Sequence, residues 1–191
     1  MIKFIISLIL FLNLTSHVLS NEVITRINEN WNQIKTMSGN FVQIDPDGNK
    51  SEGQFYFLKP YLSKFEYKDR TENVITNKKL LRIVDNEGYQ IDSYSIGNSI
   101  FKNFLSDNLV IETDFEISEI IDTDNYFILN LNFLDKNISG SGLFYFDKSS
   151  LDLKKWEILD EFKNKTVLEF TKIKKNISIS ENLFVVKYRQ N

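Results

Sequence analysis

The residue types that carry much of enzyme chemistry are nearly absent from this chain. It contains no cysteine, and its single histidine is His17. Mechanisms that pair a serine or cysteine nucleophile with histidine, and the usual zinc sites, need residues that the sequence lacks after position 17. An enzyme made from the remaining residues would have to use carboxylates, lysine or tyrosine.

Most of the 26 acidic residues lie in turn-like segments and do not form a pattern of paired catalytic carboxylates. Segment 45–53, DPDGNKSEG, is similar to a calcium loop, but Lys50 stands where that loop needs glycine and Tyr56 where it needs glutamate. The pattern therefore predicts a hairpin turn. Asp160 and Glu161 are neighbours, and neighbours in a strand point to opposite faces. We interpret the chain as a non-enzyme that needs no metal or cofactor, with a carboxylate-dependent hydrolase as the alternative from a different class.

The first twenty residues have the pattern of an export signal. Lys3 precedes an apolar run over 4–12, which is too short to span a bilayer, and Val18 and Ser20 suit the −3 and −1 positions of a cleavage site. We predict a cleaved signal peptide over 1–20 and one domain over 21–191. An uncleaved membrane anchor is the alternative. The export signal predicts a periplasmic protein, and because no cysteine is available to receive a lipid, we expect it not to be membrane-anchored. We also expect a monomer.

The charge pattern gives no sign of a nucleic-acid surface. The formal net charge is −3, and the densest basic cluster is Lys172, Lys174 and Lys175. Proteins that bind nucleic acid concentrate far more basic residues on one face. We therefore expect no nucleic-acid partner.

The periodicity predicts one helix followed by an antiparallel meander. Residues 21–37 place an apolar stripe at helical spacing, which should stop near Ser38 and Gly39. After residue 40 the period is mostly two and turn residues recur. The predicted strands are 40–45, 52–58, 62–68, 72–77, 80–85, 89–95, 110–119, 125–134, 139–146, 152–160, 165–173 and 182–188. Such strands favour one large, strongly curved or barrel-like sheet.

A short helix interrupts the strands over 97–108, GNSIFKNFLSDN. Asn98 or Ser99 could cap it. Its large apolar side chains must be buried against another part of the protein. Together with the first helix, it predicts a mainly β protein of the α+β class with two helical segments.

Several strands are apolar on both faces, although a sheet with water on one side alternates apolar with polar residues. The chain has 16 Phe, 8 Tyr and 2 Trp. In segment 53–67, Phe55 and Phe57 point one way and Tyr56 and Leu58 the other. A barrel filled by its own side chains and a barrel with a cavity for an apolar ligand both explain this pattern.

Several segments, in order, resemble the periplasmic outer-membrane lipoprotein carrier family, LolA. They are SGNFVQ (38–43), EGQFYFLKP (52–60), FEY (65–67), DNEGYQIDSY (85–94), IFKNFLSDN (100–108) and the closing hairpins over 141–170. The resemblance covers about residues 22 to 188. It implies an incomplete antiparallel barrel, with the N-terminal and mid-chain helices forming a lid over an apolar cavity.

The resemblance also implies a function. Members of this family take triacylated lipoproteins from an inner-membrane ABC transporter and deliver them to an outer-membrane receptor of similar fold. That receptor is itself lipid-anchored, so the missing cysteine favours the carrier. Lys59 matches the basic residue, normally arginine, that helps to hold the family's lid. A sensing or lipid-binding domain of the same fold, without a transport role, is the alternative.

The predicted ligand-binding residues are large apolar side chains of the cavity and the lid. They are Ile24, Ile27, Trp31, Phe55, Phe57, Leu62, Phe65, Tyr67, Phe101, Phe104, Leu105, Phe144, Phe146 and Trp156.

Overall fold

One antiparallel sheet of eleven strands dominates the structure. The computed structural model describes residues 21–77, 79–95, 101–134, 140–160 and 162–189. The predicted signal peptide lies outside these residues. The strands are β1 (Thr36–Ile44), β2 (Lys50–Leu58), β3 (Leu62–Tyr67), β4 (Glu72–Asn77), β5 (Leu80–Asp85), β6 (Gln90–Ser95), β7 (Phe115–Asp122), β8 (Tyr126–Phe133), β9 (Gly140–Asp147), β10 (Leu153–Asp160) and β11 (Lys165–Lys175).

The strand order is β6-β5-β4-β3-β2-β1-β11-β10-β9-β8-β7. Two meanders, β1–β6 and β7–β11, therefore join where the first strand pairs with the last, for example at Phe41 and Phe170. β6 and β7 follow each other in the chain but form opposite edges, and in the described part of the chain they do not pair. The sheet is thus an incomplete barrel, as predicted.

The hairpin turns use the side chains that the sequence suggested. The carboxylate of Asp45 accepts hydrogen bonds from the backbone N–H groups of Asp47 and Asn49 and from the Asn49 amide. This turn joins β1 to β2, so the predicted hairpin is confirmed.

Both predicted helices end earlier than expected. The first helix, α1, covers residues 21–33, and β1 already begins at Thr36. The prediction of a helix to residue 37 was wrong because Thr36 and Met37 pair with Leu58 and Phe57 of β2, and this pairing overrides local helical spacing. The mid-chain helix α2 is one turn, Phe101–Phe104, and residues 96–100 lie outside the described part.

Two predicted strands also change. The strand predicted over 110–119 begins instead with a one-turn helix, α3 (Ile111–Asp114), and becomes β7 at Phe115. The strand predicted over 182–188 is a 3-10 helix (Glu181–Phe184) followed by a loop with a single bridge from Lys187 to Tyr89. Phe184 is buried against the sheet here, and this packing replaces strand pairing.

Candidate functional site: the aromatic core and its lid

The concave face of the sheet holds one buried apolar cluster, which we call the aromatic core. It brings together most of the predicted site residues, each at most 4 % exposed: Ile24, Ile27, Trp31, Phe55, Phe57, Phe65, Phe104, Leu105, Phe144, Phe146 and Trp156. These residues come from α1, from the segment after β6 and from strands on both sides of the β1–β11 junction. The fold therefore collects residues that are far apart in sequence.

The other three predicted residues differ from this set. Tyr67 is partly buried and packs against the aromatic core, with its ring centroid 5.0 Å from that of Phe41. Its hydroxyl donates to Gln43 Oε1 at 2.6 Å, and burial raises its pKa. Leu62 packs with a second cluster on the convex face. The side chain of Phe101 lies outside the described residues.

Phe104 is the ring that joins the helical segments to the sheet. Its centroid lies 5.4 Å from that of Trp31 in an edge-on contact and 5.0 Å from that of Phe144 in a stacked one. Phe115 and Trp156 lie within 6.2 Å. Such ring pairs add stabilisation beyond the area they bury. Phe104 therefore packs the helical segments against rings of β9 and β10.

We define the lid as residues 21–34 together with residues 101–114. Its apolar side is buried in the core through Ile24, Ile27 and Trp31, which confirms the predicted stripe. The two parts of the lid are linked by a buried hydrogen bond from Trp31 Nε1 to the carbonyl of Phe104 at 2.9 Å. A second bond, from the N–H of Tyr61 to the carbonyl of Leu105 at 2.7 Å, ties the lid to the turn after β2.

Two asparagines on α1 hold the rest of the lid segment. The Asn32 amide donates to the carbonyl of Leu109 and accepts from its N–H, both at 2.8 Å. One turn earlier, Asn28 accepts from the N–H of Ile111 at 3.2 Å and donates to Glu112 Oε2 at 2.8 Å. Residues four apart lie on the same helix face, so Asn28 and Asn32 both face the lid segment. Their side chains provide hydrogen-bond partners for backbone groups of Leu109 and Ile111, which pair with no strand among the residues that the structure describes.

Lys59 connects the sheet to the lid, at the position that the resemblance marked. Its Nζ donates to the carbonyl of Trp31 at 2.8 Å and lies 4.9 Å from the Trp31 ring centroid. The residue is only 8 % exposed. Burial lowers the pKa of Lys59 to about 8; nearby Lys35 lowers it further and Asp107 raises it. A charged amine held by one carbonyl and one ring face is a weaker clamp than a guanidinium fork.

The convex face of β2–β5 is covered by the C-terminal segment. Phe184 packs with Ile75 and Val84, and Tyr56 and Leu58 of β2 pack against this second cluster. The two apolar faces of segment 53–67 therefore have different partners: Phe55 and Phe57 face the aromatic core, whereas Tyr56 and Leu58 face the C-terminal segment.

Sequence reasoning missed several residues of this site. Asn28 and Asn32 carried no signal as lid contacts, although their four-residue spacing beside Trp31 places them on one face. Leu109, Ile111 and Phe115 are also buried in the core. Ile111 and Phe115 fall in the strand predicted over 110–119, and Leu109 falls just before it. A short apolar run does not distinguish a strand from a turn of helix.

The described residues offer neither a membrane-spanning helix nor a metal site. None of the helices in that part of the chain has the length and apolarity needed to cross a membrane. The same residues contain no cluster of three or more His, Cys, Asp or Glu side chains arranged to hold a metal ion.

Comparison with known proteins gives the family. The model of the outer membrane lipoprotein carrier protein LolA matches residues 32–187. An uncharacterised protein of Rickettsia prowazekii (strain Madrid E) is 26 % identical over 155 residues, which are 81 % of this chain and 71 % of that protein. The family match spans β1 to the C-terminal segment.

Solved structures share the fold at low sequence identity. A conserved protein from Thermus thermophilus superposes with a TM-score of 0.52 at 11 % identity, covering 89 % of this chain and 99 % of that one. A DUF1329 family protein from Desulfovibrio piger has a TM-score of 0.52 at 10 % identity, covering 86 % and 95 %. With the family model matching most of the chain, this protein belongs to the outer membrane lipoprotein carrier protein (LolA) family.

Proposed function

We propose that this protein is a soluble periplasmic carrier that holds the acyl chains of a lipoprotein in the space now filled by the aromatic core. The cargo would be a triacylated lipoprotein released by an inner-membrane ABC transporter. Its recipient would be an outer-membrane receptor of similar fold. The observation that supports this most is the lid: an apolar interior is closed by two separate segments held through a few hydrogen bonds.

The energy balance suits a carrier that must also release its cargo. Burying one CH₂ group stabilises by about 0.8 kcal/mol, so one acyl chain contributes on the order of 10 kcal/mol. Opening the lid exposes large side chains such as Trp31 and Phe104, each of which costs about 2–3 kcal/mol. The closed lid therefore competes with the cargo, and the net free energy of binding is the small difference between two opposing contributions. A receptor needs only a modest advantage to accept the chains.

Mass spectrometry of protein purified from its own periplasm tests the proposal directly. We expect a co-purifying triacylated lipoprotein. In parallel, the purified protein should take up a fluorescent fatty acid. Uptake without lipoprotein, and without transfer to receptor-containing membranes, would favour the lipid-binding or sensing alternative. If the protein carries no lipoprotein and takes up no fatty acid, the aromatic core is an ordinary protein interior.

Matched variants test the lining. Phe65→Glu places a carboxylate in the core, whereas Lys64→Glu changes the neighbouring residue, which points to the opposite face of β3. A second pair, Phe104→Glu and Lys102→Glu, tests the lid side. We expect loss of fatty-acid uptake in the Phe variants only, measured on samples whose near-ultraviolet circular dichroism shows a folded core. Folded Phe65→Glu and Phe104→Glu proteins with normal uptake would show that the assigned lining is wrong.

A further inference from the structure

An open cleft lies between the two parts of the lid. It has a volume of about 560 Å³. Its wall consists of one face of α1 and the segment that α1 holds: Thr25, Asn28, Glu29, Asn32, Gln33, Leu109, Val110 and Glu112. Two of these residues are carboxylates and none is Lys or Arg. The cleft lies on the outer side of the lid, opposite the apolar stripe that faces the core.

The cleft opens onto the most acidic part of the chain. Between Lys102 and Lys136 there are eight Asp or Glu residues and no Lys or Arg, although the whole chain carries 26 acidic and 23 basic residues. Of the acidic residues that the structure describes in this segment, only Asp122 forms an ion pair, with Lys148. Glu29 and Glu112 are exposed, and no ion pair within the described ranges involves either carboxylate.

The same cleft contains the bonds that keep the lid closed. The amides of Asn28 and Asn32 line it while they bind the backbone of Ile111 and Leu109. The Glu112 carboxylate accepts from Asn28. A cation that binds Glu112 competes with Asn28 for the same carboxylate, and a hydrogen bond between two charged partners is favoured over one in which only the acceptor is charged.

We propose that this cleft is the docking surface for a cationic extended segment of a partner protein, and that its occupation loosens the lid. Lysine or arginine side chains of the partner bind Glu29 and Glu112 and pull Asn28 away from the lid segment. The charge complementarity that favours such a partner comes from the acidic residues between Asp107 and Asp124, which extend the negative charge along α3 and the edge strand β7. This inference rests on the proposed function, because it assigns the surface through which a partner opens the carrier.

The binding experiment uses a fluorescein-labelled decapeptide of alternating Lys and Ser, and its Glu and Ser counterpart, at low salt. We expect the purified protein to bind the Lys peptide only. Glu29→Gln combined with Glu112→Gln should weaken binding about fivefold or more, since exposed charge pairs contribute modestly each. Glu87→Gln combined with Glu181→Gln is the matched control, because it removes the same charge at exposed sites outside the cleft and should leave binding within about twofold. An equal loss in both double variants, or no binding to the Lys peptide, would overturn the proposal.

Amide hydrogen exchange then measures whether the lid loosens. The N–H groups of Leu109 and Ile111 are held by Asn32 and Asn28, so their exchange should accelerate when the Lys peptide binds. Peptide binding with unchanged exchange at both amides would overturn the role of the cleft in opening. Fatty-acid uptake is measured on the same samples. If uptake is normal but the peptide does not bind, the proposed docking role of the cleft is wrong and the carrier function stands. If the peptide binds and exchange accelerates but there is no uptake, the carrier function is wrong.

Discussion

The Lys59 amine is unfavourably buried, and it also contacts the lid. Its amine is buried next to Trp31, where it donates one hydrogen bond and lies near the ring. The family's arginine would offer five donors in a planar fork, whereas lysine offers three on a flexible stem. In this chain one of these donors has an identified acceptor, the Trp31 carbonyl, so we expect the lid to be held less firmly at this point than a guanidinium would hold it.

The titration of Lys59 predicts a pH dependence. Its pKa is about 8 when folded against an ordinary value of 10.5, with burial as the main cause. Between these values the unfolded chain binds a proton that the folded chain lacks, so stability rises with pH through this window. Relative to Lys59→Met, the wild-type free energy of unfolding should increase between about pH 8 and 10, by at most about 1.4 kcal/mol per pH unit. Urea titrations of both proteins measure this difference, and a constant difference would contradict the assigned pKa.

Gly53 is a position where two elements approach too closely for a side chain. A Cβ there would lie 2.1 Å from the carbonyl oxygen of Glu66 and 2.7 Å from the Phe41 ring. Gly53→Ala should therefore cost about 3 kcal/mol or more, because β3 and Phe41 must both shift. Gly48→Ala is the control: its φ is +86° but no atom lies within 4 Å, so it should cost only about 1 kcal/mol. Equal losses in denaturant unfolding would show that β2 and β3 can separate easily.

At the scale of elements, the C-terminal segment is the part that changes most between prediction and structure. The short apolar run Leu183 to Val186 is compatible with a strand, yet only Lys187 bridges to Tyr89, just before β6. The segment is held instead by Phe184 in the second cluster and by the ion pair of Arg189 with Asp85. Periodicity records which side chains are apolar, but it does not say whether a neighbouring strand is available to pair.

Phe184→Ala should release this segment. Truncating a buried phenylalanine costs about 3–5 kcal/mol, and the neighbouring Val185, which is exposed, supplies the control Val185→Ala with an expected change below about 0.5 kcal/mol. Hydrogen exchange of Lys187, whose N–H donates to Gly88, should accelerate in the Phe184 variant only. Unchanged exchange at Lys187 would mean that the bridge to Tyr89, and not Phe184, anchors the segment.

At the scale of the whole molecule, an open sheet and a two-part lid enclose one apolar interior. The lid is therefore the element whose movement should control ligand entry. Because the chain has no native cysteine, Thr25→Cys with Glu112→Cys allows a short bismaleimide to join the two sides of the cleft. The cross-linked protein should lose fatty-acid uptake, and each single variant capped with a monofunctional maleimide should retain it. Full uptake by the cross-linked protein would show that ligands enter by another route.

Local sequence patterns predict the mainly β class, the apolar stripe of α1, the hairpin at Asp45 and the opposite faces of Phe55 and Tyr56. These features follow from periods of two and 3.6 residues and from turn chemistry, which act over a few neighbouring positions. The resemblance added the open barrel and pointed to Lys59.

The end of α1, the segment that covers the convex face and the side chains that hold the lid depend on contacts between distant parts of the chain. Thr36 is a strand residue because β2 lies beside it, and Leu62 faces the C-terminal segment because Phe184 packs there. Asn28 and Asn32 hold a segment more than 75 residues away in sequence. Such contacts depend on which surfaces meet after folding, and a local pattern of residue types carries no information about a distant partner.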